Sequence, residues 1–310
     1  MPKALVVKST GSWYRVLTAD GEYFDCKLRG NFKIKGIKTT NPIAVGDNVF
    51  FEDSIKHKVP LIKQIYPRKN HIIRKATNLS KRSQIIAANI DHAYLIASLV
   101  SPRTSTGFID RFLSTAEVYH IPASIIFNKI DIYGEELEEN LHNLIKTYEN
   151  LGYACYKVSA TENINIDQVK DLVKDKTSLF SGHSGVGKST LINALDKSLR
   201  LKTGEISKVH QKGKHITTYA EILSLDFGAY IIDTPGIKEF GLYDFSAEEL
   251  SQSFPEMRSL MHKCKYSNCQ HINEPNCAVK EAVEKGEIAL FRYKNYLNMI
   301  DETNTNDYSE

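Results

Sequence analysis

The segment Gly182-His183-Ser184-Gly185-Val186-Gly187-Lys188-Ser189 constrains this chain more than any other. It spells G-x-x-x-x-G-K-S directly after an apolar stretch, SLFSG, and opens into STLINALD, which has helical character. Strand, glycine loop and helix in that order form a phosphate cradle. The glycines let backbone N–H groups wrap an oxyanion, and the helix N-terminus adds favourable partial charge. Lys188 is expected to reach the β and γ phosphates and the Ser189 hydroxyl to ligate Mg²⁺, with Thr190 continuing the loop into the helix.

The flanking sequence supplies a sheet for this loop to sit on. From Asn89 onward, HAYLIASLV, ASIIFN, ACYKV and SLFSG read as buried strands. Between them, Phe108, Ile109, Phe112, Leu113 and Ala116 recur at helical spacing, and helices are expected around 135–149 and near 167–175. Alternation of this kind predicts a mostly parallel sheet covered on both faces. Asp233-Thr234-Pro235-Gly236 follows the strand AYIID. There Asp233 can hold Mg²⁺ through its water shell, and the Gly236 N–H can sense a γ-phosphate. Thr217 and Thr218 are equal candidates for a switch threonine that closes over the metal.

An ATPase or kinase would share these features. Guanine is indicated by Asn128-Lys129-Ile130-Asp131 at the end of ASIIFN. The Asp131 carboxylate can accept from both the ring N–H and the exocyclic amine of guanine, a bidentate contact worth ~1–3 kcal/mol of discrimination that adenine lacks. Asn128 braces the loop or reaches the base, and the Lys129 stem lies along the ring. Ser159-Ala160, after ACYKV, supplies a companion loop whose backbone N–H meets the base carbonyl. Both motifs stand at strand C-termini, where open α/β sheets bind ligands. They precede the phosphate loop, the reverse of the common GTPase order, so the domain reads as circularly permuted. Termini of compact α/β domains lie close together, so a permutation preserves the site.

Two further modules flank this domain. Residues 1–67 hold short strands (ALVVKS, WYRVLTA, EYFDCKL, VGDNVFFE, LIKQIY) punctuated by glycines, the signature of a small barrel such as an OB-fold. Residues 1–75 carry fifteen Lys and Arg against six Asp and Glu, which suggests a face for a polyanion such as RNA. A solvated lysine-rich surface is the alternative. Trp13, Tyr14, Phe50 and Phe51 can stack on RNA, but a small barrel needs aromatics in its core, and core is the favoured reading.

Residues 242–310 are helical, opening on a capping box formed by Ser246 and Glu249. Within them, Cys264-x4-Cys269-x-His271-x5-Cys277 offers three thiolates and an imidazole, suited to a closed structural Zn²⁺ site. Cys26 and Cys155 stand apart and read as packing residues. No apolar run reaches the ~18 residues of a membrane span, and the start has no secretory pattern, so a cytoplasmic protein is expected, with a monomer as the default state.

Taken together, GSWYRV, VGDNV, IAANIDHAYLIAS, IDRFLSTAE, NKID, VSA, GHSGVGKSTLINAL, GKHITT, DTPGIKEFG and the C-x4-C-x-H-x5-C site resemble the ribosome small-subunit-dependent GTPase A (RsgA) family. The resemblance spans nearly the whole chain. It implies an OB-fold over 1–67, a circularly permuted P-loop GTPase domain over 68–241 and a helical zinc-binding domain over 242–310. It also implies GTP and GDP as ligands with Mg²⁺, and binding to the 30S subunit and its 16S rRNA late in maturation. Hydrolysis is then stimulated by the ribosome, with release after a check of the decoding region. Ile216 departs from the threonine expected after the histidine. Ile237 stands where many GTPases carry a water-orienting glutamine, so the bare protein is expected to be slow. His215 is the best intrinsic candidate to orient water. Gly185 occupies the position of the asparagine of potassium-activated GTPases, so no potassium dependence is expected.

Overall fold

The computed structural model describes residues 3–28, 42–52, 59–75, 83–201, 221–233 and 245–307. Five strands come first: β1 (Lys3–Ser9), β2 (Tyr14–Thr18), β3 (Tyr23–Leu28), β4 (Asn48–Glu52) and β5 (Leu61–Ile65). They are followed by β6 (His71–Lys75), β7 (Ser83–Ala88) and β8 (His92–Ala97). Helices and strands then alternate through α1 (Thr106–Val118), β9 (Ala123–Phe127), α2 (Glu135–Asn150), β10 (Cys155–Lys157), α3 (Ile166–Val173), β11 (Thr177–Ser181) and α4 (Lys188–Leu195). The strands β12 (Glu221–Ser224) and β13 (Tyr230–Asp233) precede four helices: α5 (Ala247–Gln252), α6 (Pro255–Arg258), α7 (Ala278–Glu284) and α8 (Leu290–Asp307).

The chain divides into two compact units. The first holds Met1–Ala93, Asp167–Ser181 and Ile192–Ile237. In it, β1 to β5 close a barrel in the order β1-β2-β3-β5-β4, with β4 pairing back to β1, the topology of an OB-fold. Val6, Tyr14, Val16, Cys26, Val49, Phe51 and Ile62 fill it. Alternation along each strand sends these residues inward, and the pairing of β1 with β2 shifts register between Val6 and Lys8. Asp47, fully buried, is held by Arg68 through two 2.6 Å contacts and accepts from the Ala44 N–H. The same unit pairs β1 with β12, β12 antiparallel with β13, and β13 parallel with β11. No sequence pattern marks an element between Tyr66 and Asn89; there β6 and β7 form an antiparallel pair.

The second unit holds Tyr94–Ile166, Gly182–Leu191 and Lys238–Glu310. Residues Tyr94 to Ala97 of β8 are all buried, as a strand covered on both faces must be. β9 lies beside β8, and β10 runs parallel to β9. The four C-terminal helices pack around Leu250, Phe254, Met257, Val279, Ile288, Tyr296 and Ile300. The capping box at α5 forms as expected: the Glu249 N–H donates to Ser246 Oγ, and Glu249 Oε2 accepts from the Ser246 N–H at 2.9 Å. Among the described residues no helix is long and apolar enough to cross a membrane.

Candidate nucleotide-binding site and metal centre

The second unit brings three predicted segments together at the ends of its strands. Asn128 follows β9 directly and is buried. Its Nδ2 donates to the Val186 carbonyl at 2.9 Å, and its Oδ1 accepts from the Ala160 N–H at 3.0 Å. One amide therefore joins NKID, Ser159-Ala160 and the phosphate loop. Asn128 braces these loops, one of the two roles its sequence position allows. Lys129 adopts a left-handed backbone (φ 68°), which turns its side chain across the loop to donate to the carbonyls of Ser101 and Gly185. Asp131 is exposed in the 3₁₀ turn Ile130–Ile132, its carboxylate open to a base. Ser159 is buried, and its hydroxyl accepts from the Glu162 N–H, fixing the loop that presents Ala160.

The phosphate loop follows β11 and runs into α4. Gly182 (φ 147°) lies so close to the Ile96 carbonyl that a Cβ would come within 2.3 Å of that oxygen. Gly187 (φ 98°) is tighter in its consequence, because a Cβ there would sit 2.3 Å from Asn128 Nδ2. Both positions therefore require glycine. Ser184 and Gly185 are exposed at the loop tip, Val186 is buried beneath it, and Ser189 and Thr190 begin the helix. Lys188 Nζ donates to the carbonyls of Gly182 and His183, inside the loop it is expected to serve. Burial and the Lys188 charge hold the His183 imidazole below its ordinary pKa. It packs on Phe108 with ring centroids 3.8 Å apart.

Asp233 closes β13 in the first unit. Its side chain lies outside the described residues, as do His215, Thr217, Thr218 and Gly236.

The cysteine cluster is also assembled. The donor atoms of Cys264, Cys269, His271 and Cys277 all lie within 4.8 Å of one another. His271 points Nδ1 inward, 3.3 Å from Cys277 Sγ and 3.7 Å from Cys264 Sγ. Burial pushes the Cys269 and Cys277 thiols above their usual pKa, so thiolates here need a cation to balance them. Three sulfurs and one nitrogen at this spacing fit a tetrahedral Zn²⁺ held by His271 Nδ1. The ligand loop is braced by Glu274, which accepts from the Gln270 N–H at 2.7 Å and the Ile272 N–H at 2.8 Å, on either side of His271. Glu274→Ala is expected to weaken zinc affinity about tenfold, read by competition with a chelator. Unchanged affinity would remove Glu274 from the site.

Sequence reasoning gave no role to several residues that shape these sites. The Tyr133 hydroxyl donates to the Asn128 carbonyl at 2.9 Å and accepts from the Leu99 N–H at 2.8 Å. Pro102 rests against Gly185. Asp110 is fully buried in α1, where it meets Arg292 and Asn295 of α8 and the Tyr148 hydroxyl. The available signal was a lone carboxylate between Ile109 and Phe112 on an apolar helix face. Of the barrel aromatics, Tyr14 and Phe51 are buried as expected, whereas Trp13 is 41% exposed with Lys27 Nζ 4.5 Å from its ring centre.

A parallel sheet, a glycine phosphate loop and a guanine-type loop that precedes it in the chain together define a circularly permuted P-loop GTPase. The RsgA GTPase family model matches residues 65–243, and the RsgA N-terminal domain model matches residues 3–58. The chain belongs to the RsgA GTPase family. A "Small ribosomal subunit biogenesis GTPase RsgA 2" from Bacteroides thetaiotaomicron is 51% identical over 99% of this chain and 98% of its own length. A "Small ribosomal subunit biogenesis GTPase RsgA" from Phocaeicola vulgatus is 52% identical over 99% and 98%. Among solved structures, YjeQ from Thermotoga maritima superposes with a TM-score of 0.78 at 35% identity, covering 97% of this chain and 98% of that one. YloQ, described as a circularly permuted GTPase, gives 0.75 at 30% identity over 99% and 96%.

Proposed function

We propose that this protein is a GTP hydrolase that binds the small ribosomal subunit, contacts its 16S rRNA and assists its late maturation, acting as a cytoplasmic monomer. The observation that carries the nucleotide reading is the Asn128 amide, which couples the Ala160 N–H and the Val186 carbonyl. Guanine then lies against Asp131, Lys129, Ser159 and Ala160, and its phosphates lie in Gly182–Ser189. Ser189, Asp233 and one of Thr217 or Thr218 hold Mg²⁺, which neutralises phosphate charge when bound. Zn²⁺ in the Cys264, Cys269, His271 and Cys277 cluster is structural. The names of the curated relatives support the small subunit as partner. The exposed Trp13 beside Lys27 and the basic barrel support an RNA contact made by stacking and charge. On this reading the domains run 1–67, 68–241 and 242–310.

In the hydrolytic step, Lys188 and the Gly236 N–H stabilise charge on the transferring phosphoryl group, and His215 orients the attacking water. Ile237 cannot hydrogen-bond water, so turnover depends on a partner that orders the switch. The test is hydrolysis of GTP, with ATP as control, alone and with added 30S subunits. Strong GTP-selective stimulation is expected, and His215→Ala should lower the stimulated rate about a hundredfold with GDP affinity unchanged. Hydrolysis indifferent to 30S would remove the ribosomal partner, and equal turnover by His215→Ala would remove the histidine.

A further inference from the structure

We propose that α1 couples the phosphate loop to the metal loop, so that nucleotide and zinc strengthen each other's binding, with Phe108 as the positioning residue. The inference rests on the nucleotide and zinc readings above. It begins at Lys188, whose Nζ donates to the Gly182 and His183 carbonyls. A phosphate that draws Lys188 to itself must compete with those two acceptors, and one of them is the carbonyl of His183. The His183 ring lies against Phe108 at a centroid distance of 3.8 Å, so backbone adjustment at His183 is felt by the first turns of α1. Ser105 caps that end by accepting from the Phe108 N–H, which makes the turn a rigid lever.

Two residues further on, Asp110 joins α1 to α8. It receives Arg292 Nη1 at 2.7 Å and Asn295 Nδ2 at 2.6 Å, and the same Asn295 amide reaches Thr106 Oγ1 at 3.2 Å. The neighbouring positions of α8 hold the metal loop. The Tyr293 hydroxyl donates to the His271 carbonyl at 2.7 Å, and the Tyr296 hydroxyl donates to the Gln270 carbonyl at 2.6 Å. Every link is a ring contact or a hydrogen bond between elements of one compact unit. Close-packed interiors transmit small displacements instead of absorbing them.

Binding linkage is reciprocal, so the factor by which GDP tightens zinc must equal the factor by which zinc tightens GDP. The experiment uses the full-length zinc-loaded protein in equilibrium competition with a chromophoric zinc chelator, with and without saturating GDP. GDP is expected to raise apparent zinc affinity at least about fivefold. Phe108→Leu keeps an apolar helix former at that position and removes the ring on His183; it should bind both ligands while losing the linkage. Equal zinc affinity with and without GDP in the unmodified protein overturns the proposal and needs no variant. Full linkage in Phe108→Leu overturns the route through the ring. Absence of GDP binding, or absence of zinc from the purified protein, instead refutes the site readings and the proposal with them.

Discussion

Gly187→Ala is expected to weaken GDP binding at least about a hundredfold, roughly 3 kcal/mol, while leaving the fold intact. Two effects combine. The backbone at Gly187 has a φ of 98°, a region that L side chains enter at a cost of about 1–3 kcal/mol. The new methyl would also come within 2.3 Å of Asn128 Nδ2, so that amide must leave Val186, and with it the Ala160 N–H. Base loop and phosphate loop would then separate in one change. Titration with a fluorescent GDP analogue reads the affinity, and the unliganded urea midpoint reads the fold. An unchanged dissociation constant would show that Asn128 is not the joint between the two loops.

Arg292→Leu is expected to destabilise the second unit by about 3–5 kcal/mol, because it leaves two carboxylates buried without their cation. Arg292 is 1% exposed and Asp110 0%. The guanidinium donates to Asp110 at 2.7 Å and to both Glu256 oxygens at 2.7 and 3.0 Å, and it packs 4.5 Å from the centre of the Phe254 ring. Burial opposes its charge, but Asp110 and Glu256 outweigh that, so Arg292 titrates above its ordinary value and stays ionised. The measurement is the shift in urea midpoint. Arg292→Leu with Asp110→Asn should recover part of the loss, since the uncompensated charge and not the missing volume dominates. A single variant as stable as the unmodified protein would mean that the network contributes no net stability.

Both sites were legible in the sequence for the same reason. The phosphate loop, NKID, Ser159-Ala160 and the four metal donors are each short and contiguous, or nearly so. Their chemistry depends on residue type at fixed local spacing, and a strand end or helix start supplies the geometry. The barrel followed from five short strands punctuated by turn glycines, and α5 from its capping box. Trp13 was harder to read: alternation cannot tell an aromatic residue in a barrel wall from one at its lip, and the structure leaves it exposed under Lys27.

What the sequence by itself determined was the class of chemistry. A lysine in a glycine loop, a carboxylate after Asn128-Lys129 and three cysteines around a histidine declare phosphate, guanine and metal whatever fold carries them. Only the tertiary structure decided which residues hold these groups in register. Asn128 proved to be a joint between loops, Tyr133 its support, and His271 turns Nδ1 toward the cysteine sulfurs. Asp110 and Arg292 are 182 positions apart in sequence, and nothing local at either predicts the other. A buried charge pair costs desolvation at both ends and is tolerable only where folding delivers each partner to the other. That information belongs to long-range packing, which no local spacing rule contains.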